Sequence, residues 1–246
     1  MTRLLVALPL AAVIIIAAGI GVWWFAIRSD ASPLTDPKPI PSELLNSATP
    51  TPGATEPGAT ETPAGTAGQV WQIVSSDSEA DYYVGETLAS LGVPSTANGK
   101  TKDISGAFYL TADGTALDTS QTSQFTVDLT TLTSDQSRRD QRVQNALETG
   151  QFPTATFTAE SVSGLATPIT DGVQVSFQLT GTLDLHGVQR KVIWDVEATR
   201  QANVISAIAT LDFNFSDYDI NPPNIGGFVS VQDHGQLQAV IIAQES

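Results

Sequence analysis

From residue 69 to residue 246 apolar side chains keep returning at every second position, a period that suits strands with one buried face and does not suit an amphipathic helix. Phe125, Val127 and Leu129 alternate with Thr126, Asp128 and Thr130. Ala155, Phe157 and Ala159 alternate with threonines in the same way. The phase returns in Val173, Val175, Phe177 and Leu179, in Val192, Trp194, Val196 and Ala198, and in Leu211, Phe213 and Phe215. With segments 71–74, 82–88, 106–110, 183–185 and 237–243 the total reaches roughly eight to ten strands, as expected of a sandwich or barrel. One stretch breaks the pattern. Residues 134–149 open on a capping serine, place Val143, Ala146 and Leu147 near one face, and run into Gly150 and Pro153, which predicts one short inserted helix.

Two segments of different character precede this domain. Residues 4–27 carry no charged side chain and lie between Arg3 and Arg28; at ~1.5 Å per residue such a run crosses a ~30 Å hydrocarbon layer. The run ends in Trp23, Trp24 and Phe25, aromatics that favour the membrane–water interface. A cleaved signal peptide has a shorter apolar stretch and ends in small residues, although Ser29, Asp30 and Ala31 offer a poor cleavage site. Residues 1–28 are therefore read as a transmembrane anchor, with a signal sequence as the alternative; Arg3 and Arg28, one on each side, leave its orientation open. Residues 29–68 hold 8 of the 14 prolines and little that could be buried. They read as a mobile linker with a reach of ~35 Å as a coil and up to ~120 Å in polyproline form.

The formal charge is −15, and 69–246 carries most of it, with 21 acidic against 8 basic residues. Such a surface disfavours nucleic acid and anionic lipid head groups. Without cysteine there is no disulfide and no thiolate metal site. The two histidines read as turn residues, His186 between strands and His234 before one. No nucleophile elbow or phosphate loop is present, and the carboxylates of Asp217 and Asp219, flanking Tyr218 on an expected strand face, are a weak pair. No catalytic residue, metal site or cofactor is expected, and the chain reads as a non-enzyme. Arg138, Arg139 and Arg142 form the one cationic cluster of the domain: a clamp for an anionic head group, or a solvated helix face balanced by Asp135, Asp140 and Glu148. Phe125, Val127, Phe157, Phe177, Leu179, Trp194, Phe213 and Phe215 share the buried phase, which marks either a solid core or the wall of a pocket.

Residues 69–246 resemble the YceI-like family. The resemblance runs in order through Trp71-Gln72-Ile73-Val74, Ser78-Glu79-Ala80, the Gly106 strand, Val127-Asp128-Leu129 and Leu132-Thr133-Ser134-Asp135. It continues through Arg139-Asp140, Phe152-Pro153, Phe157, Leu179-Thr180-Gly181-Thr182-Leu183 and His186-Gly187-Val188, and ends in Trp194-Asp195-Val196, Phe213-Asn214-Phe215 and Ser230-Val231-Gln232-Asp233. It implies an all-β, antiparallel lipocalin-like β-barrel whose apolar interior holds a polyisoprenoid or similar amphiphilic lipid. It also implies export of the domain, to the periplasmic or extracellular side, and it brings no catalytic motif. The alternative is an envelope interaction module with a packed core and no ligand.

Overall fold

A computed structural model describes residues 31–46, 68–88, 93–222, 224–225 and 229–246. The expected transmembrane segment lies outside the described residues, and among those residues no helix is long and apolar enough to cross a membrane. After a short helix α1 (Ser42–Asn46) come β1 (Gln69–Ile73), β2 (Glu79–Leu88), β3 (Val93–Thr101), β4 (Ile104–Leu110), β5 (Gln124–Asp128) and β6 (Thr133–Ser134). Helix α2 (Ser137–Ala146) precedes β7 (Thr154–Ser163), β8 (Val175–Leu185), β9 (Val188–Gln201), β10 (Val204–Phe213), β11 (Asn224–Ile225) and β12 (Val229–Glu245).

All pairings within the sheet are antiparallel, and the sheet closes on itself because β1 bonds both β4 and β12. The 17-residue β12 makes closure possible. One edge pairs with β10 from Phe213↔Gly235 to Val204↔Gln244. The other edge pairs first with β2 and then with β1, so β1 and β2 act as one strand with a bend. At that bend the Ser78 hydroxyl takes the place of backbone: it accepts from Ile242 N at 2.9 Å and donates to Ile242 O at 3.2 Å. Strands β3 and β4 are likewise one bent strand, turned at Lys102 and Asp103, and the ring counts eight strands in this sense. The inward positions Trp71, Ile104, Phe125, Phe157, Trp194, Phe213 and Ile241 belong to one buried cluster.

Several expectations need correction at the ends of elements. The helix spans Ser137–Ala146 rather than 134–149, because Ser134 pairs with Gly99 in the sheet. Its amide and hydroxyl both donate to the Asp140 carboxylate, at 2.8 and 2.6 Å. Phe215, Asp217 and Tyr218 lie in a 3-10 turn, so Asp217 and Asp219 do not share a strand face. His234 lies inside β12, in the bulge between Val231 and Gly235. His186 stands in a tight turn as expected, with φ of 55° before Gly187 at 73°, the left-handed pair that a two-residue hairpin requires.

The start of the expected linker is not free. Leu34 N donates to Gln238 Oε1 at 3.0 Å and Leu34 O accepts from Gln238 Nε2 at 2.9 Å. Ser206 Oγ donates to Lys38 O at 2.6 Å, and Lys38 Nζ reaches Glu79 at 2.9 Å. Val204, Ser206, Ile208, Val240 and Ile242 alternate with the inward residues of β10 and β12, so they face outward, yet each is 3% exposed or less. Segment 31–46 is bonded to this face of the barrel and runs across it as a strap.

Under the strap, burial and the neighbouring charge of Glu79 push the Asp81 carboxyl up to about 6, against the pull of Lys100, Asn98 and Lys38. Burial also raises Glu79, but Lys38 and Lys100, at 2.9 and 3.4 Å, outweigh it and hold that carboxyl below its ordinary value.

A chain beginning at Gln69 is expected to be less stable in urea than one beginning at Ala31, by about 2–4 kcal/mol, since stripping the strap uncovers aliphatic side chains. Equal midpoints would mean that the strap covers nothing of energetic weight. For Asp81 the folded value lies above the unfolded one, so the ionised group costs stability above pH 6 and the cost fades as pH falls towards 4. Asp81→Asn is expected to stabilise the fold by about 1–3 kcal/mol at pH 7, discounted for residual solvent screening. Urea unfolding from pH 7 down to pH 4 should show the gain shrinking.

Candidate functional site

The barrel interior is filled unevenly. Phe125, Phe157 and Trp194 meet near its middle, with ring centroids 5.2 Å apart for the two phenylalanines and 6.2 and 5.9 Å from each to the indole. Phe157 reaches this position because residue 181 is glycine: a Cβ there would lie 2.5 Å from the Phe157 ring. On one side of this trio the inward residues Leu179, Val196, Ala209 and Ile241 pack together. On the other side the interior stays open as a cavity of about 400 Å³.

The cavity wall is built in layers. The aromatic trio forms the floor, since β9 contributes only Trp194 and β8 only Leu183 and Leu185. Val127, Ala155, Phe213, Leu237 and Ala239 line the sides, and α2 partly covers the far end with Val143 and Ala146, Leu147 standing just after it. Small residues at inward positions, Ala80, Ala97, Ala155 and Ala239 among them, leave the space unfilled. Arg138 alone among the wall residues is exposed, so the opening lies on the α2 side. Two polar groups inside the wall stand out. Tyr82 is pushed well above the usual phenol range by burial, partly offset by Arg139, and stays neutral. Trp194 is 3% exposed and its indole N–H has no hydrogen-bond partner among the described residues.

Of the apolar residues selected from the sequence, Phe125, Val127, Phe157, Trp194, Phe213 and Phe215 line the cavity. Phe177 and Leu179 do not. They sit further along β8, where Phe177 pairs with Val196 and Leu179 with Trp194, beyond the aromatic floor. Alternation marked them as inward-facing correctly, but it carries no information on depth along the barrel axis. Phe215 reaches the wall from a turn rather than a strand. The inward residues that sequence reasoning passed over are Leu183, Leu185 and Leu237, whose alternation was noted without being assigned to a site, and the contributions of β2 and β3.

The three arginines divide. All three line the cavity. Arg139 is 8% exposed and engaged: its guanidinium contacts Asp135 and lies 3.5 Å from Glu86. Asp140, expected to balance the helix face, is occupied by Ser134. Glu148 lies 4.0 Å from His186 Nε2. His186 Nδ1 is 3.0 Å from Tyr218 O and the ring packs on Phe152. Among the described residues no group of three or more carboxylates and histidines could hold a metal ion.

A family model described as a YceI-like domain matches residues 71–243. Among solved structures, the chain is similar to a polyisoprenoid binding domain from Saccharophagus degradans implicated in plant cell wall breakdown. The identity is 16% and the TM-score 0.53, over 74% of this chain and 100% of that one. It is also similar to BcnA of Burkholderia cenocepacia, at 16% identity and a TM-score of 0.50, over 70% of this chain and 99% of that one. At these identities the likeness speaks for the fold. No curated protein matches the chain.

Truncating the floor and truncating beyond it should differ. Phe157, with 0% exposure, is expected to cost about 3–5 kcal/mol on replacement by alanine. Half-buried Phe177 should cost less than half of that, and Phe177→Ala should leave farnesol binding as in the parent. Urea unfolding and a farnesol titration on both variants check this; weakened farnesol binding in Phe177→Ala would place the cavity elsewhere.

Proposed function

The chain belongs to the YceI-like family, and on that footing we propose that it is a membrane-anchored, exported binding protein that keeps an isoprenoid or similar amphiphilic chain inside its barrel. The observation that carries this reading is the apolar cavity between the aromatic floor and α2. A volume of about 400 Å³ lies within the range of small-molecule sites. At ~30 Å³ for each water-sized group it holds on the order of a dozen non-hydrogen atoms. An apolar tail of that size gains roughly 25 cal/mol for each Å² it removes from water, which suffices for binding without a dense polar lining. Longer tails would emerge past α2. A packed module without ligand would have no use for four inward alanines around an open space. The anchor rests on the uncharged run 4–27 and its terminal aromatics, and the exported location on the resemblance to the family alone.

The reading is tested by extracting the purified full chain with organic solvent and identifying what is released by mass spectrometry. A stoichiometric amphiphile with an apolar tail is expected. Filling the cavity supplies the second arm: Ala155→Phe adds a ring where space already exists, so it should leave the unfolding free energy in urea within about 1 kcal/mol of the parent while reducing farnesol binding at least about tenfold. No released lipid, together with no farnesol bound by the parent, would end the proposal.

A further inference from the structure

Three of the 8 basic residues of 69–246 line one apolar cavity, in a domain with 21 acidic ones. Arg139 is committed to Asp135 and Glu86. Arg138 and Arg142 have no ion-pair or hydrogen-bond partner among the described residues. They stand four residues apart on α2, hence on one face, with Arg138 exposed at the opening and Arg142 half-buried behind it. Of the acidic groups on and beside the helix, Asp140 is occupied by the Ser134 amide and hydroxyl and Asp135 by Arg139, while Glu148 is exposed and stands 4.0 Å from His186 Nε2. A helix face serving only solubility would pair these arginines with its own carboxylates or turn them away from the cavity.

We propose that the cavity takes an anionic amphiphile, its tail on the aromatic floor and an oxyanion head, phosphate or carboxylate, held between Arg138 and Arg142. The proposal rests on the reading of the cavity as a site for an apolar chain. Guanidinium groups match both head groups with paired donors, and two of them beside a low-dielectric opening favour a head carrying negative charge over a neutral alcohol. The acidic excess of the domain as a whole acts in the opposite sense. It lowers the attraction for anions in general, so selection depends on the tail reaching the cavity first.

The test uses the full chain in detergent and native mass spectrometry, which counts bound molecules and separates them from detergent adducts. The probes are farnesol, farnesyl phosphate and oleate. Farnesyl phosphate is expected to bind one to one and roughly tenfold more tightly than farnesol, with oleate also retained. In Arg138→Gln/Arg142→Gln the ratio of the two farnesyl affinities should fall to about one, whereas Arg138→Lys/Arg142→Lys should keep a preference above one. The ratio is taken within one protein sample, so partial unfolding does not imitate the effect. Equal affinity of the parent for farnesol and farnesyl phosphate would overturn the head-group inference and leave the cavity reading standing. A preference that survives in the glutamine variant would also overturn it. If none of the three probes binds, both readings fall.

Discussion

Everything else in the domain depends on one strand bonding along both of its edges. An antiparallel sheet of this length would otherwise end in two rows of unpaired amides and carbonyls, a template for aggregation. β12 removes both ends at once, with β10 on one side and the bent β1–β2 strand on the other. The bend falls where a regular ladder would need a residue that the chain spends on turning; the fully buried Ser78 supplies the acceptor for the Ile242 amide, and Ile242 O takes both the Val74 amide and the Ser78 hydroxyl. Closure in turn gives inward side chains a common axis, without which the aromatic trio and the space above it would not exist.

Strand existence was legible because period two is a local property of the sequence. Phe125, Phe157, Trp194 and Phe213 alternate with polar neighbours and all point inward. What lay beyond reading was position along the axis, which separates Phe157 at the cavity floor from Phe177 beyond it. That depends on stagger between strands, set by pairings such as Phe157↔Leu183 and Leu179↔Trp194 that no single segment encodes. The bulge carrying His234 and the turn carrying Phe215 were hidden for a related reason. Each is a departure from alternation fixed by a partner far away in sequence, as when Asp233 accepts from the Ser216 amide at 2.9 Å and the Ser216 hydroxyl at 2.7 Å.

The distinction between a solid core and a hollow one rests on small residues rather than large ones. Aromatics drew attention in the sequence, yet they build the floor; the hollow comes from alanines at inward positions of β2, β3, β7 and β12, together with a helix at the end instead of side chains filling it. The same helix explains why its arginines resisted assignment. Charge pattern alone could not reveal that Asp140 looks back to Ser134, or that Glu86, from a distant strand, takes up Arg139 while Arg138 and Arg142 have no partner among the described residues.

The strap changes how a tether would work. Read as forty free residues, the stretch 29–68 would let the barrel roam over tens of ångströms. With 31–46 fastened across β10 and β12 by Leu34, Lys38 and their partners, the stretch cannot act as one free leash of forty residues. Any attachment through residues 1–28 would then have five residues between it and the first strap bond, at Leu34. The barrel would ride close against its support, with a narrow choice of orientations, and delivery of a bound molecule to a second site would depend on diffusion of the support itself rather than on the swing of the domain.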